Sequence, residues 1–90
     1  MTTDRYMFAS LPQVKLWHDL LGHLELLRGV EVTQFVTDGV VGSWIDFTFR
    51  GQRFTINEEA GFYHFFVEEP DCSGSVLNEV AAHCEKFLRL

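Results

Sequence analysis

Few groups in this chain could carry covalent or metal chemistry, and their spacing decides what each could do. His64 with Cys72 or Cys84 is the pair suited to a thiol nucleophile, because a nearby imidazole lowers a thiol's pKa and can take its proton. Cys84, however, falls on the apolar stripe of a predicted helix, where cysteine serves as a small core residue. Cys72 sits in a loop with nothing beside it that marks an oxyanion hole or a third orienting group. Asp19 with His23, and Glu79 with His83, stand at i, i+4, which brings each pair to one side of a helix. Two ligands are not a site, and the sequence has no HExxH, no CxxC and no third spaced ligand. His83 and Cys84, being adjacent, point to different helix faces. "DCSGS" lacks the alternating carboxylates of an EF-hand loop, and no GxGxxG, GxxxxGK[ST] or GxSxG motif occurs. The expectation is a chain without catalytic residues, metal or cofactor.

The acids Glu58, Glu59, Glu68, Glu69 and Asp71 fall in two connections at either end of the last strand. They read as a solvated rim; the alternative is an acidic contact surface for a basic partner, with Arg50 and Arg53 at another turn serving the mating surface of a dimer. Thirteen Asp and Glu against seven Lys and Arg give a formal charge of −6. Nucleic-acid binding draws its non-specific affinity from cations, so DNA or RNA is not the expected partner. The start, "MTTDRYMFAS", has no basic region leading into an apolar run, and no stretch is long and apolar enough to span a bilayer. A cytoplasmic location without membrane contact follows, and two cysteines without CxxC spacing would stay reduced there.

The elements that must position these groups are legible in the periodicity. Ninety residues, 47% hydrophobic and 14% aromatic, make one domain spanning residues 1–90. Residues 1–9 form an N-terminal segment. Ser10, with Gln13 three residues on and Pro12 in the first turn, predicts a helix start. Val14, Trp17, Leu20, Leu21, Leu24 and Leu27 then recur at helical spacing, so residues 10–28 are expected to be helical up to Gly29. Over residues 30–68 the period changes to two, predicting four strands. Asp38-Gly39 suits a two-residue type I′ turn, which pairs Thr37 with Val40 and Val32 with Ile45. That register puts Val30, Val32, Val36, Val41, Ile45, Phe47 and Phe49 on the core face, and Phe35 and Trp44 on the other. Gly51 turns the next hairpin and sends Phe54 and Ile56 to the core. A four-residue loop over 58–61 pairs Ile56 with Tyr63 and Phe54 with Phe65, leaving Phe62, His64 and Phe66 outside; a three- or five-residue loop would exchange the two sets, and the outer face is aromatic either way. Ser73 or Ser75 caps a last helix over residues 73–89, with Val76, Leu77, Val80, Ala81, Cys84, Phe87 and Leu88 on its inner stripe.

The fold class expected is therefore α+β: a two-layer sandwich in α-β-β-β-β-α order, with both helices on one face of an antiparallel meander. In outline this order and the acidic balance loosely resemble small bacterial secretion chaperones, although the chain is short for that family and no motif carries the likeness. The open face of such a sheet is normally polar, yet here it would carry Phe35, Trp44, Phe62, His64 and Phe66. Each large apolar side chain left in water forgoes about 1.5 to 3 kcal/mol of burial. Three arrangements would recover it: the N-terminal "RYMFAS" folding back over the face, a second copy of the chain, or a ligand or partner peptide. The functional expectation is a non-enzymatic interaction module, homodimeric through this face or through the unpaired edge of the last strand. The alternative is a small-ligand or enzymatic site with aromatic walls and His64 as its polar group.

Overall fold

The computed structural model describes residues 5–38, 42–69 and 71–88. Among these the sheet has five strands, where four are expected from sequence. The order along the chain is β1 (Tyr6–Pro12), α1 (Trp17–Leu24), β2 (Glu31–Asp38), β3 (Gly42–Phe49), β4 (Gln52–Glu59), β5 (Phe62–Val67) and α2 (Gly74–Leu88). In space the strands run β1-β5-β4-β3-β2, and every neighbouring pair is antiparallel.

The N-terminal correction is the largest. Ser10 does not cap a helix; it lies in β1 opposite His64, and Leu11 lies opposite Tyr63. An unpaired edge on β5 would leave a row of backbone donors and acceptors without partners, and the N-terminal segment supplies them. Its residues Tyr6–Pro12 join the sheet as a strand beside β5 rather than leaving that edge open. The strand's period of two is hidden by a bulge between Met7 and Ala9, which lets Phe8 turn inward, edge-on to Phe54 at 5.7 Å and Phe65 at 6.2 Å. Pro12 closes the strand, a position where its missing N–H costs little, and Gln13 N–H donates to the Gly61 carbonyl at 2.9 Å. The helix begins only after Leu16, whose extended backbone (φ −74°, ψ 159°) makes it the N-cap. It ends in a tight turn, with Leu26 N–H donating to His23 O and Leu27 N–H to Leu24 O, before Gly29 at φ 98°.

The hairpins fix which side chains share a face. Phe49 pairs with Gln52 and Glu59 with Phe62, so the loops are Arg50-Gly51 and Ala60-Gly61, two residues each. All four loop residues have positive φ, as type I′ turns demand. The β4–β5 loop is thus shorter than the four residues expected; Ile56 meets Phe65, and Phe54 meets Val67. Because the register moves by two, the faces stay as predicted: Phe62, His64 and Phe66 lie opposite the core side.

The β2–β3 register moves by an odd number and does exchange faces. The predicted Asp38-Gly39 turn involves Gly39 and Val40, which, with Val41, lie outside the described residues. On either side of them Thr37 pairs with Ser43, Val36 with Trp44 and Phe35 with Ile45. Phe35 therefore shares the core face with Ile45, its ring edge-on to His18 at 5.1 Å, and Val36 takes the outer position beside Trp44. A bulge between Val32 and Gln34 then returns Val32 to a pairing with Phe47.

One core joins the sheet to both helices. Ile45, Phe47, Ile56, Tyr63 and Phe65 meet Trp17, Leu20 and Leu24 from α1 and Val80, Cys84 and Leu88 from α2 in a single buried cluster. The amphipathic spacing of each helix supplies those three buried residues. Ser73 Oγ accepts from the Ser75 N–H at 3.3 Å in the first turn of α2. Among the described residues no helix is long and apolar enough to cross a membrane.

Candidate functional site

With both helices on the core side, the outer face of the sheet is the surface left to act. The strand registers lay it out in rows. Ser10, His64, Asn57, Trp44 and Val36 form one row across all five strands; Met7, Phe66, Thr55, Asp46 and Gln34 form the next. Pro12, Phe62 and Glu59 make a shorter third row at one end. Aromatic side chains thus flank a polar middle, with Phe62 and Phe66 on one side and Trp44 on the other.

The middle is held by its own hydrogen bonds. Thr55 Oγ1 donates to Asp46 Oδ1 at 2.8 Å across β3 and β4, and Thr33 Oγ1 donates to the Asp46 carbonyl at 3.1 Å from the β2 bulge. His64 Nδ1 and Ser10 Oγ lie 3.2 Å apart. At one margin the Arg5 guanidinium stands 5.1 Å above the Phe66 ring, a cation–π distance, and Arg53 reaches Glu68 at 3.7 Å. Two open hollows result. The larger, about 960 Å³, runs over β3 and β4 past Trp44, Asp46, Thr48, Thr55 and Arg53; the smaller, about 390 Å³, lies among Met7, Phe62, His64 and Phe66. Asn57 borders both. On this face the exposed apolar side chains border the smaller hollow, where Met7 is 48% and Phe62 44% exposed.

Of the residues singled out from sequence, Trp44, Phe62, His64 and Phe66 share this face. Phe35 is corrected away from it: the odd register shift between β2 and β3 turns its ring toward α1. Asp46, Thr55 and Asn57 belong to the face without being singled out from sequence, and Met7 and Ser10, expected over the face as part of "RYMFAS", reach it instead from within a fifth strand. Thr55 and Asn57 had a signal, since they alternate with the core residues Phe54 and Ile56, and Asp46 shares the parity of Trp44. Ser10 reads as a helix cap, and Met7 falls in the N-terminal segment 1–9, for which no strand is expected.

The thiol chemistry considered from sequence does not come together. Cys84 is buried under α2 on the core side of the sheet, and burial pushes its thiol up to about 12. Burial also raises Cys72. Both thiols therefore stay protonated near neutrality, and the sheet lies between Cys84 and His64. His23 and His83, each considered from sequence with a carboxylate four residues away, stack on each other with ring centres 4.1 Å apart. Among the described residues no group of three or more His, Cys, Asp or Glu side chains is placed to hold a metal ion.

No protein-family model matches this chain, and comparison with curated proteins and with solved structures finds no match either.

Proposed function

We propose that the protein is a non-enzymatic interaction module that pairs with a second copy of itself through the outer face of the sheet. The observation that carries this reading is the apolar cluster of Met7, Phe62 and Phe66, partly exposed beside His64 on a face that neither helix covers. Clustered exposed apolar residues mark interaction sites, and two-fold self-pairing is the commonest way a small domain hides one. Arg53 and Glu68 add charges of both signs at the margin of the same face, as a self-complementary surface requires. The sheet edges support the face over the edge as the contact. β1 occupies the edge of β5, and each outermost strand carries a bulge that interrupts the flat ladder a further strand would need.

Sedimentation across the micromolar range tests this reading. A dimer that dissociates on Phe62→Glu, with the variant still folded by circular dichroism, is the expected result. A wild-type protein that stays monomeric throughout rejects it.

One observation favours a second reading, a small-ligand or enzymatic site. The Ser10 hydroxyl and the His64 ring sit 3.2 Å apart beside a hollow walled by Phe62 and Phe66. A polar group in an aromatic hollow is how small ligands are oriented, and a hydroxyl on an imidazole is the first contact of an activated nucleophile. The test is thermal shift with a library of small molecules: hits lost in His64→Ala support a ligand at this hollow, and hits of equal size in the variant remove it.

A further inference from the structure

On the other side of the sheet, away from the proposed contact face, α1 and α2 meet through a symmetric pair of imidazoles. His23 Nε2 donates to the His83 carbonyl at 2.6 Å, and His83 Nε2 donates to the His23 carbonyl at 2.5 Å. The rings lie nearly parallel, 14° apart with centres at 4.1 Å, and Phe87 stacks on the other side of His23 at 4.5 Å. Since both Nε2 atoms donate, each neutral ring carries its proton there. A further proton on either ring must go to Nδ1 and makes that ring a cation.

We propose that the stacked His23 and His83 rings form an acid-sensitive clasp between α1 and α2, closed while at least one ring is neutral and opened when both carry a proton. A single protonation is tolerated, because a charged ring donates a stronger bond to the facing carbonyl and stacks on a neutral partner. The second places two like charges 4.1 Å apart in a half-buried seam, where screening by water is weak.

Charges on the His83 side add to this repulsion. The charges acting on His83 are cationic, namely His23 and Lys86, and the Lys15 ammonium stands 5.4 Å from the Phe87 ring centre. The carboxylates nearest in sequence are Asp19 and Glu25 around α1 and Glu79 and Glu85 on α2. Of these, Glu79 is already held by Arg50 at 3.1 Å. Burial is the first cause that lowers His83 from its ordinary 6.5, the bond to the His23 carbonyl pulls the other way, and the two cations add to the lowering. A folded value below the unfolded one means that the unfolded chain binds more protons. The clasp's contribution to stability is therefore complete above that ordinary value and is lost as pH falls through the folded value.

Cys84 reports the opening, because it is fully buried on α2 in the residue after His83. In a Cys72→Ser background its labelling by a dithiodipyridine, a reagent that still attacks thiols in acid, is expected to quicken at least tenfold between about pH 7.5 and about pH 5. His23→Gln and His83→Gln keep an N–H donor and remove the charge; in them the change is expected to stay within about threefold. Equal acceleration in wild type and variants, or none in wild type, overturns the clasp. Should the variants fail to fold, proton NMR of the wild type decides: the His83 imidazole is expected to take up its proton below the ordinary histidine value, and uptake at or above that value overturns the clasp.

Discussion

The helix-covered face of the sheet and its outer face are made by alternate residues of the same strands, yet they differ in how water is handled. On the covered side Ile45, Phe47, Phe54, Ile56, Tyr63 and Phe65 are each 2% exposed or less. On the outer side Trp44 shares its row with Asn57, Phe62 with Glu59, and Phe66 with Thr55 and Asp46, whose side chains bond to each other across β3 and β4. Apolar content alone does not separate the faces. What separates them is that one has two amphipathic helices to complete it, whereas the other leaves its aromatics around open hollows. The covered face is where stability resides, and the outer face is where a second molecule could be recognised.

Truncating one phenylalanine on each face gives the largest contrast. Phe65→Ala leaves a void in the buried cluster and is expected to cost about 3 to 5 kcal/mol of unfolding free energy. Phe62→Ala, three residues away and 44% exposed, is expected to cost no more than about 1 kcal/mol. Urea denaturation of the monomeric protein measures both. Similar losses would break the distinction and mean that the outer face is already packed by something within the chain.

The cysteines give a smaller contrast of the same kind. Cys84→Ser puts a hydroxyl where burial leaves it no water, and is expected to cost about 1 to 3 kcal/mol. Cys72→Ser, in the loop before α2, should stay within about 0.5 kcal/mol. Thermal denaturation of the two variants checks both.

How far these faces could be read from sequence depended on parity more than on pairing. Phe54, Ile56, Tyr63 and Phe65 were assigned to the core, and Phe62, His64 and Phe66 to the outside, although the predicted β4–β5 loop was two residues too long. A shift of two preserves every side chain's face. The β2–β3 register differs by an odd number, so the same logic failed for Phe35 and Val36, and the bulge at Thr33 then rescued Val32. Bulges are invisible to a simple period-two reading. The second one, at Phe8, hides the strand in the N-terminal segment, and the capping residue types of Ser10, Pro12 and Gln13 make the end of β1 look like the first turn of a helix. Local propensity favoured a helix start there; the open edge of β5, a tertiary demand, won. The candidate site was legible as an aromatic excess on one face, while its polar middle needed the registers.

Hydrogen bonding sharpens the comparison at intermediate size. The Tyr63 hydroxyl donates to the Lys15 carbonyl at 2.5 Å, tying β5 to the segment that leads into α1, and burial is the first cause that raises its pKa. Tyr63→Phe removes the donor, keeps the ring against Trp17 and strands a carbonyl, at a cost of about 1 kcal/mol. Ser10→Ala removes an exposed bond to His64 on the outer face and should cost within about 0.5 kcal/mol. Equal costs in denaturant titrations would mean that the outer row contributes to the fold as much as the core side does.

The ion pairs should show the least contrast, and that is informative about what distinguishes the faces. Arg50 meets Glu79 of α2 on the helix side at 3.1 Å, and Arg53 meets Glu68 on the outer side at 3.7 Å. All four side chains are more than 40% exposed, so water and salt screen both pairs, and each is expected to contribute below about 1 kcal/mol. A double-mutant cycle on each pair measures the coupling, with Arg50–Glu79 expected to be the larger because it is closer and makes two contacts. Both couplings should vanish at about 1 M salt, where the screening length is about 3 Å. A salt-resistant coupling for Arg53–Glu68 would place that pair out of water, beneath the very partner that the aromatic cluster is proposed to receive.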